Sequence, residues 1–254
     1  MDLQTFQLIG KNALVTGSRK GLGAAIALAL ARAGANVACH GRGPTGNGVV
    51  EAIQRCDRKS LYISGDLADP GVCEQMVEMT VDRFGSIDIL VNNAGIIRRA
   101  PAIEFSLADW NEILAVNLTA VFRLSQLAAR NMIRHGKGGK ILNIASLLSF
   151  QGGILVPAYA AAKAGVAQLT RALANEWAAH GINVNAIAPG YMVTDNTAAL
   201  RQDATRYGQI LERIPAGRWG NPEDLAGAAV FLCSEASDYV HGHVLAVDGG
   251  WLGR

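Results

Sequence analysis

Residues 12–41 read NALVTGSRKGLGAAIALALARAGANVACHG, and strand and helix patterns alternate within this stretch. NALVTG (12–17) is a short apolar run that ends at glycine, which indicates a buried strand. GLGAAIALALARAG (21–34) is rich in strong helix formers, and its final glycine is typical of a helix C-terminus. NVACHG (36–41) then indicates a second strand. The stretch therefore predicts a strand–helix–strand unit.

The same alternation continues to the end of the chain. Further strand patterns, separated by helical stretches, occur at SLYISGDL (60–67), IDILVNNAG (87–95), GKILNIAS (139–146), INVNAIAPG (182–190) and HVLAVDGG (243–250). Strands that are apolar throughout and alternate with helices are typical of a parallel sheet covered on both faces. No change in composition indicates a linker. We therefore predict one doubly wound α/β domain over residues 1–254, with seven parallel strands.

The composition limits the classes of partner. Of the 254 residues, 50% are hydrophobic and 17% are charged, so a sizeable core can form. The net charge of +2 gives no indication of a nucleic-acid or membrane partner. The four cysteines show neither a CxxC pair nor metal-ligand spacing, which favours a reducing compartment. The N-terminus has an acid at position 2 and no long apolar run, so we expect a cytoplasmic protein without a signal peptide.

The turn TGSRKGLG (16–23) joins the first strand to the first helix. Its glycines allow a tight turn and a close approach of the backbone to a ligand. The unpaired N–H groups of the following helix N-terminus can bind phosphate oxygens. A glycine triplet alone also occurs in ordinary tight turns, but its place between strand and helix favours a dinucleotide pyrophosphate.

A tyrosine and a lysine lie one helical turn apart in YAAAK (159–163). Alanine alone would form that helix, so the polar pair on one face indicates a function. Ser146 ends a strand thirteen residues before Tyr159, and Asn117 lies in the helix predicted around 107–135. Together with the TGxxxGxG turn, these residues resemble the Asn–Ser–Tyr–Lys set of the short-chain dehydrogenase/reductase family.

The resemblance covers essentially the whole chain. It implies a Rossmann fold, hydride exchange between a nicotinamide cofactor and a carbonyl or alcohol, and a homotetramer in which DGGWL (248–252) packs between subunits. NNAGIIRR (92–99), ASLLSFQGG (145–153), RIPAGRWG (213–220) and the segment 175–197 resemble the sugar-acid branch of the family. The expected substrates are therefore keto or hydroxy sugar acids such as 2-dehydro-3-deoxy-D-gluconate, 2-deoxy-D-gluconate or gluconate.

The resemblance also implies which residues bind the cofactor, all of them near the carboxyl ends of the strands. They are Gly17, Ser18, Arg19, Lys20, Gly21, Leu22 and Gly23 in the first turn, then Arg42, Asp66, Leu67, Asn93, Ala94, Gly95, Tyr159, Lys163, Pro189, Gly190, Met192, Val193 and Thr194.

The choice between NAD and NADP depends on the end of the second strand. An acid about twenty residues after the glycines would bind the ribose 2′-hydroxyl of NAD. This chain has CHGRG there and no acid between the glycine turn and Glu51. Lys20 and Arg42 can instead pair with a 2′-phosphate, or they are solvated surface charges. We expect NADP, with NAD as the alternative.

The catalytic set explains the tyrosine–lysine pair. A tyrosine with a pKa of about 10 holds its proton too tightly to act as a base near neutrality. An ammonium about 5 Å away contributes roughly 3 kcal/mol at an effective dielectric of about 20, or about two pKa units. We therefore predict that Lys163 lowers the pKa of Tyr159. From the resemblance, Ser146 binds the substrate oxygen and Asn117 holds a water for proton relay.

Several other residues are candidates for substrate binding. The segment 192–220 follows a strand and predicts a substrate lid. Arginine pairs well with a carboxylate, although surface arginines also form ion pairs and subunit contacts. The candidates for the carboxylate are Arg98, Arg99 and Arg218, and those for the hydroxyls are Ser149 and Gln151, beside Ser146 and Tyr159. The histidines of HGH (241–243) have no third ligand, so we expect no metal site.

Two alternative functions stay open from the sequence. The chain could reduce another carbonyl, such as a 3-oxoacyl thioester or a cyclic ketone. It could also bind a dinucleotide without catalysis, although a binding protein has no need of Tyr159.

Overall fold

The computed structural model describes residues 3–254. Its core is one parallel sheet of seven strands in the order β3-β2-β1-β4-β5-β6-β7. The expected fold class is thereby confirmed. The prediction that the N-terminus is not a signal peptide concerns a segment whose residues 1 and 2 lie outside the described part. The strands are β1 Asn12–Val15, β2 Asn36–Gly41, β3 Ser60–Ser64, β4 Ile89–Asn92, β5 Gly139–Ile144, β6 Ile182–Pro189 and β7 Val244–Val247.

Helices cover both faces of the sheet. They are α1 Gly21–Arg32, α2 Val49–Gln54, α3 Pro70–Phe84, α4 Leu107–Leu114, α5 Ala120–His135, α6 Pro157–Trp177, α7 Ala198–Gln202, α8 Ala204–Arg213 and α9 Ala226–Cys233. Side chains alternate across each strand, so β1 places Ala13 and Val15 in one core and Leu14 in the other. The first core packs against α1, α2 and α9, and the second against α3, α5 and α6.

The helix predicted around 107–135 is interrupted by one π-helical turn, Ala115–Thr119, between α4 and α5. Such turns occur often at functional sites, and this one carries Asn117. The continuous run Leu107–His135 is long and apolar enough to cross a membrane by length and composition. Half of its most apolar window is buried within the fold.

Buried polar side chains tie α6 to the centre of the sheet. Asn92 Nδ2 donates to Asn143 Oδ1 at 2.9 Å, which connects β4 to β5. Asn143 Nδ2 donates to Thr170 Oγ1 of α6 at 2.9 Å. All three side chains are buried, where a lost hydrogen bond leaves an unsatisfied polar group. These two hydrogen bonds therefore fix the position of α6, the helix that carries Tyr159 and Lys163.

Strand order reverses between β1 and β4, because β1 has β2 on one side and β4 on the other. Ligands of open α/β sheets bind at such a switch point, outside the carboxyl ends of the strands. The sheet topology therefore places the candidate site beside the glycine turn and the NNAG segment.

Candidate active site

A cavity of about 650 Å³ opens at this switch point. Of the residues predicted to bind the cofactor, only Ser18 does not line it, and Ser146 joins the lining together with Tyr159 and Lys163. Sequence analysis did not single out Asp195, Asn196 and Thr197, which also line the cavity at the start of the predicted lid.

The glycine turn fits a pyrophosphate. A Cβ on Gly17 would lie 2.9 Å from the Cα of Ala94, and one on Gly23 would lie 2.4 Å from Asn93 Nδ2. Larger residues would therefore push the turn away from the NNAG segment. The N-terminus of α1 has no side-chain cap, so its first N–H groups can bind phosphate oxygens.

The Ser18 side chain does not face the cavity and instead bonds to the backbone of the two neighbouring strands, β1 and β2. Its hydroxyl donates to the Val15 carbonyl at 2.8 Å and accepts from the backbone N–H of His40 at 3.0 Å. The side chain is fully buried. Both hydroxyl interactions are made within the protein, and the binding of the cofactor by Ser18 stays a prediction.

His40, at the end of β2, also lines the cavity and was not predicted. Its Nδ1 accepts from the backbone N–H of Gly17 at 3.3 Å, and its Nε2 lies 3.1 Å from the Gly65 carbonyl oxygen. Burial lowers the pKa of His40, more than its bond to Gly65 and the charge of Asp66 raise it. The neutral ring with the proton on Nε2 satisfies both partners and connects the glycine turn to the end of β3.

Lys163 is buried beneath Tyr159 on α6, with its Nζ 5.8 Å from the centre of the tyrosine ring. Nζ donates to the backbone carbonyl of Ile144, the last residue of β5, at 2.5 Å. Burial lowers the pKa of Lys163 to about 8, because the charged form loses its hydration. The ammonium therefore titrates close to neutral pH.

The pKa of Tyr159 is raised, mainly by burial of the phenol. A hydrogen bond with Ser146 and the positive charge of Arg99 oppose this shift. The prediction that Lys163 brings the pKa of Tyr159 down is thus not met in this structure. Burial weakens the lysine as a permanent charge and outweighs the favourable groups around the phenol.

Two serines connect the end of β5 to α6. Ser146 Oγ accepts from the backbone N–H of Leu148 at 3.1 Å and bonds with Tyr159. Ser149 Oγ accepts from the backbone N–H of Ser146 at 3.3 Å and donates to the Lys163 carbonyl at 2.6 Å. Ser149 therefore holds Ser146 against α6, and its role in binding a substrate hydroxyl stays a prediction.

Gln151 likewise has its partner inside the protein, since its Oε1 accepts from Trp251 Nε1 at 3.0 Å. Trp251 packs on Tyr191, with ring centres 4.7 Å apart. This contact ties the loop after Ser146 to the C-terminus. The role of Gln151 in binding a substrate hydroxyl stays a prediction, and it would fall to Nε2, because Oε1 already accepts from Trp251.

Asn117 is fully buried, and both ends of its carboxamide contact one residue. Oδ1 accepts from the backbone N–H of Ile96 at 2.8 Å, and Nδ2 donates to the Ile96 carbonyl at 2.8 Å. The side chain thus fixes the loop that follows NNAG. The predicted relay water would have to be held by the Asn117 backbone, because the side chain is already bonded.

The three predicted carboxylate ligands do not lie together. Arg98 pairs with Glu112 at 3.0 Å, and Arg218 forms a two-pronged contact with Asp224 at 2.6 and 2.8 Å. Arg218 lines a separate cavity of about 230 Å³. None of the three arginines lines the catalytic cavity, and Arg98 and Arg218 already have acidic partners, so their assignment to the substrate stays a prediction. Only Arg99 has a charge that acts on Tyr159.

The start of the lid is held from two sides. Lys20 of the glycine turn pairs with Asp195 and thereby lowers the pKa of that carboxyl. Arg99 Nη2 donates to the Asn196 carbonyl at 3.1 Å. Both cations are exposed, and Lys20 lines the cavity. Within residues 3–254 no cluster of ligating side chains could hold a metal ion.

Comparison with known proteins shows similarity to oxidoreductases. A family profile described as enoyl-(acyl carrier protein) reductase matches residues 17–252. The 2-dehydro-3-deoxy-D-gluconate 5-dehydrogenase of Dickeya dadantii is 54% identical over the full length of both chains.

Two solved structures are similar in both sequence and shape. A candidate 2-deoxy-D-gluconate 3-dehydrogenase of Agrobacterium tumefaciens, solved with NADP, is 57% identical with a TM-score of 0.93, over 98% of this chain and 99% of that one. A candidate gluconate 5-dehydrogenase of Beutenbergia cavernae, solved with NADP at low occupancy, is 52% identical with a TM-score of 0.94, over 98% of this chain and 100% of that one.

Replacing Lys163 by methionine tests the cost of its burial. The folded-state pKa of about 8 lies below the ordinary 10.5, so unfolded wild-type protein binds more protons between these values and wild-type stability rises with pH there. The stability of Lys163→Met relative to wild type should therefore be greatest below pH 8. It should fall by about 3 kcal/mol as the pH rises to the unfolded-state value.

Urea denaturation across this pH window measures the difference. Lys137→Met, which removes an exposed lysine, serves as the control and should follow the wild-type pH dependence. Parallel pH curves for wild type and Lys163→Met would contradict the depressed pKa.

Proposed function

The chain belongs to the short-chain dehydrogenase/reductase family, and from this premise we propose that it oxidises or reduces a sugar acid with NADP or NAD. The observation that supports this most directly is the shared cavity: Ser146, Tyr159 and Lys163 lie in the same opening as the glycine turn. The names of relatives such as the 54% identical Dickeya enzyme support a hydroxy or keto sugar acid as the substrate.

The proposed mechanism assigns the proton to Tyr159. When bound, the nicotinamide cofactor supplies or accepts the hydride. Tyr159 gives its phenolic proton to the carbonyl oxygen during reduction and accepts it from the alcohol during oxidation. Ser146 bonds with Tyr159 and orients the substrate oxygen beside it. These two hydroxyls come from different elements, which the Ser149 bonds hold together.

We propose that Lys163, on the buried side of Tyr159, returns a proton to the phenol after each reduction. With a pKa near 8, its ammonium exchanges a proton near neutral pH at little cost. The loop that Asn117 fixes runs over Lys163, since a Cβ on Gly95 would lie 3.8 Å from Nζ. The proposed relay runs from Lys163 through a water held by the Asn117 backbone.

Arg99 is the proposed ligand of the substrate carboxylate. Its charge already acts on Tyr159, and Nη2 donates to the Asn196 carbonyl of the lid. A carboxylate bound to Arg99 would therefore lie near both the phenol and the lid. The guanidinium can bind it with two parallel hydrogen bonds.

For the cofactor, we favour NADP over NAD. No acid follows β2 before Glu51, whereas Arg19, Lys20 and Arg42 line this end of the cavity. Relatives of known structure, such as that of Agrobacterium tumefaciens, were solved with NADP.

We also propose a cytoplasmic homotetramer. Ile103 is 95% and Leu107 77% exposed near the start of the α4–α5 run, which supports contact with another subunit. The four cysteines are unpaired, which supports a reducing compartment. Trp251 of the DGGWL segment is buried within its own chain, so the contact there would involve its neighbours.

Replacing Tyr159 by phenylalanine tests the catalytic role. The variant keeps the ring and loses the proton donor, so turnover of sugar acids should fall by about a hundredfold or more. Reduced-nicotinamide absorbance, across a panel of sugar acids, a 3-oxoacyl thioester and a cyclic ketone, measures the activity. Binding of NADP should be retained in Tyr159→Phe. Tyr239→Phe, at a fully exposed tyrosine, is the control, and unchanged turnover in Tyr159→Phe would rule out the mechanism.

Arg99→Ala tests the carboxylate contact. Loss of a charge-assisted pair should raise KM for a sugar acid about tenfold or more, and leave KM for a neutral ketone nearly unchanged. Arg98→Ala is the matched control, because the neighbouring arginine is also exposed but pairs with Glu112. Equal changes in KM for both substrates would show that Arg99 does not bind a carboxylate.

A further inference from the structure

We propose that Trp251 is a positioning residue, which holds both the loop that carries Ser146 and the lid in place beside the catalytic cavity. This inference rests on the proposed function, because the loop and the lid act on the sugar acid that the protein would bind. Trp251 does not itself line the catalytic cavity, so it acts through its neighbours. Its side chain is 5% exposed within its own chain.

The loop after β5 contacts Trp251 through two residues. Leu147, which directly follows Ser146, belongs to the same buried apolar cluster as Trp251. The indole Nε1 donates to Gln151 Oε1 at 3.0 Å. Ser146 lines the cavity, whereas Leu147 and Gln151 do not. The tryptophan therefore holds this loop from behind the cavity wall.

The turn after β6 contacts the same ring. Tyr191 packs on Trp251 with ring centres 4.7 Å apart and an angle of 54° between the ring planes. The two neighbours of Tyr191 in the chain, Gly190 and Met192, both line the cavity. In this turn, as in the loop after β5, residues of the cavity wall are thus next to a residue that packs on Trp251.

Helix α8 of the predicted lid also packs on Trp251. Ile210 of this helix and Ile214, which follows it, belong to the same apolar cluster. The Cζ atom of Arg213 lies 4.2 Å from the centre of the Trp251 ring, which is the geometry of a cation–π contact. The lid and the loop that carries Ser146 therefore share one support.

The turn that carries Trp251 has a well-defined backbone. Asp248 Oδ1 accepts from the backbone N–H of Gly250 at 2.9 Å. Gly249 and Gly250 have φ angles of 66° and 90°, in the left-handed region that favours glycine. The Gly249 carbonyl accepts from the backbone N–H of Ala216 at 2.9 Å, which joins the turn to the end of the lid. The indole therefore has a fixed position against which the loop and the lid can pack.

The two polar contacts of the indole predict two separate effects on the reaction. The bond to Gln151 fixes the loop and thereby the orientation of Ser146 toward the reacting oxygen, so its loss should lower kcat. The contact with Arg213 fixes α8 of the lid, which encloses the substrate, so its loss should raise KM.

Two variants test these effects in the turnover of a sugar acid at saturating cofactor. Trp251→Phe keeps an aromatic ring and removes the indole N–H, so kcat should fall about fivefold or more while KM changes less than about twofold. Arg213→Leu removes the cation and keeps the tryptophan, so KM should rise about threefold or more while kcat changes less than about twofold. Arg213 is exposed, so this second variant should fold normally.

Each variant has a matched control. Trp177→Phe removes another buried indole, which donates to Glu176 Oε1 at 3.3 Å at the end of α6 far from Tyr159. Arg206→Leu removes another arginine of α8, whose Nη1 donates to Gln209 Oε1. Both controls should keep the wild-type kcat and KM. Rates are divided by the number of cofactor-binding sites, because a purely structural defect would lower that number and leave KM unchanged.

Amide hydrogen exchange of the free protein, followed by mass spectrometry, tests the contacts without a substrate. Trp251→Phe should speed exchange in residues 147–151, and Arg213→Leu should speed exchange in α8, each about threefold or more. Exchange in α3 should stay unchanged in both variants.

The outcomes separate this inference from the proposed function. If wild type turns over no sugar acid, the proposed function is wrong, while faster exchange at the two expected segments still supports the role of Trp251 in holding them. Unchanged exchange at both segments would overturn the inference. Equal kinetic effects of Trp251→Phe and Trp177→Phe, or a fall in kcat that only follows the number of cofactor-binding sites, would also overturn it.

Discussion

Lys163 donates from its Nζ to the Ile144 carbonyl at the end of β5, inside the protein, and the rest of the site is arranged around this contact. A buried ammonium is costly because it loses its hydration. The fold holds it there through α6, which the Asn143–Thr170 hydrogen bond anchors to the centre of the sheet. Two further bonds of Ser149 fix Ser146 against the same helix. The lysine, the tyrosine and the serine therefore share one rigid support.

The same burial sets the proton chemistry. It lowers the pKa of Lys163 to about 8 and raises that of Tyr159, so the phenol holds its proton more tightly than the ammonium does. Return of a proton from Lys163 to an ionised Tyr159 is therefore favourable. The phenol stays protonated in the ligand-free protein, and a further positive charge is needed before it can act as a base. The oxidised nicotinamide is the charge that can meet this need, because the charge of Arg99 already acts on the phenol in the free protein.

The fold was predictable because it follows from local patterns. All seven strands, the glycine turn and the cavity position were expected from apolar runs and glycine spacing. The side-chain roles of Ser149, Gln151 and Asn117 were not, because their partners Lys163, Trp251 and Ile96 lie 14 to 100 residues away. The ion pairs of Arg98 and Arg218 were not predictable for a related reason, since their acidic partners are brought close only once α4 and the 3₁₀ turn Pro222–Leu225 have formed. One feature of the sequence could have identified His40, namely that it is a polar residue inside a strand predicted to be buried.

The central claim is that burial controls the pKa of Tyr159 and that positive charge brought by the cofactor lowers it. Tyrosinate absorbance during a pH titration tests this directly, with the Tyr159→Phe spectrum subtracted from the wild-type spectrum. We predict that Tyr159 of the free protein ionises above the ordinary value of 10.0, and that saturating oxidised cofactor shifts its ionisation to lower pH. Ionisation of Tyr159 at or below that value in the free protein would contradict the account.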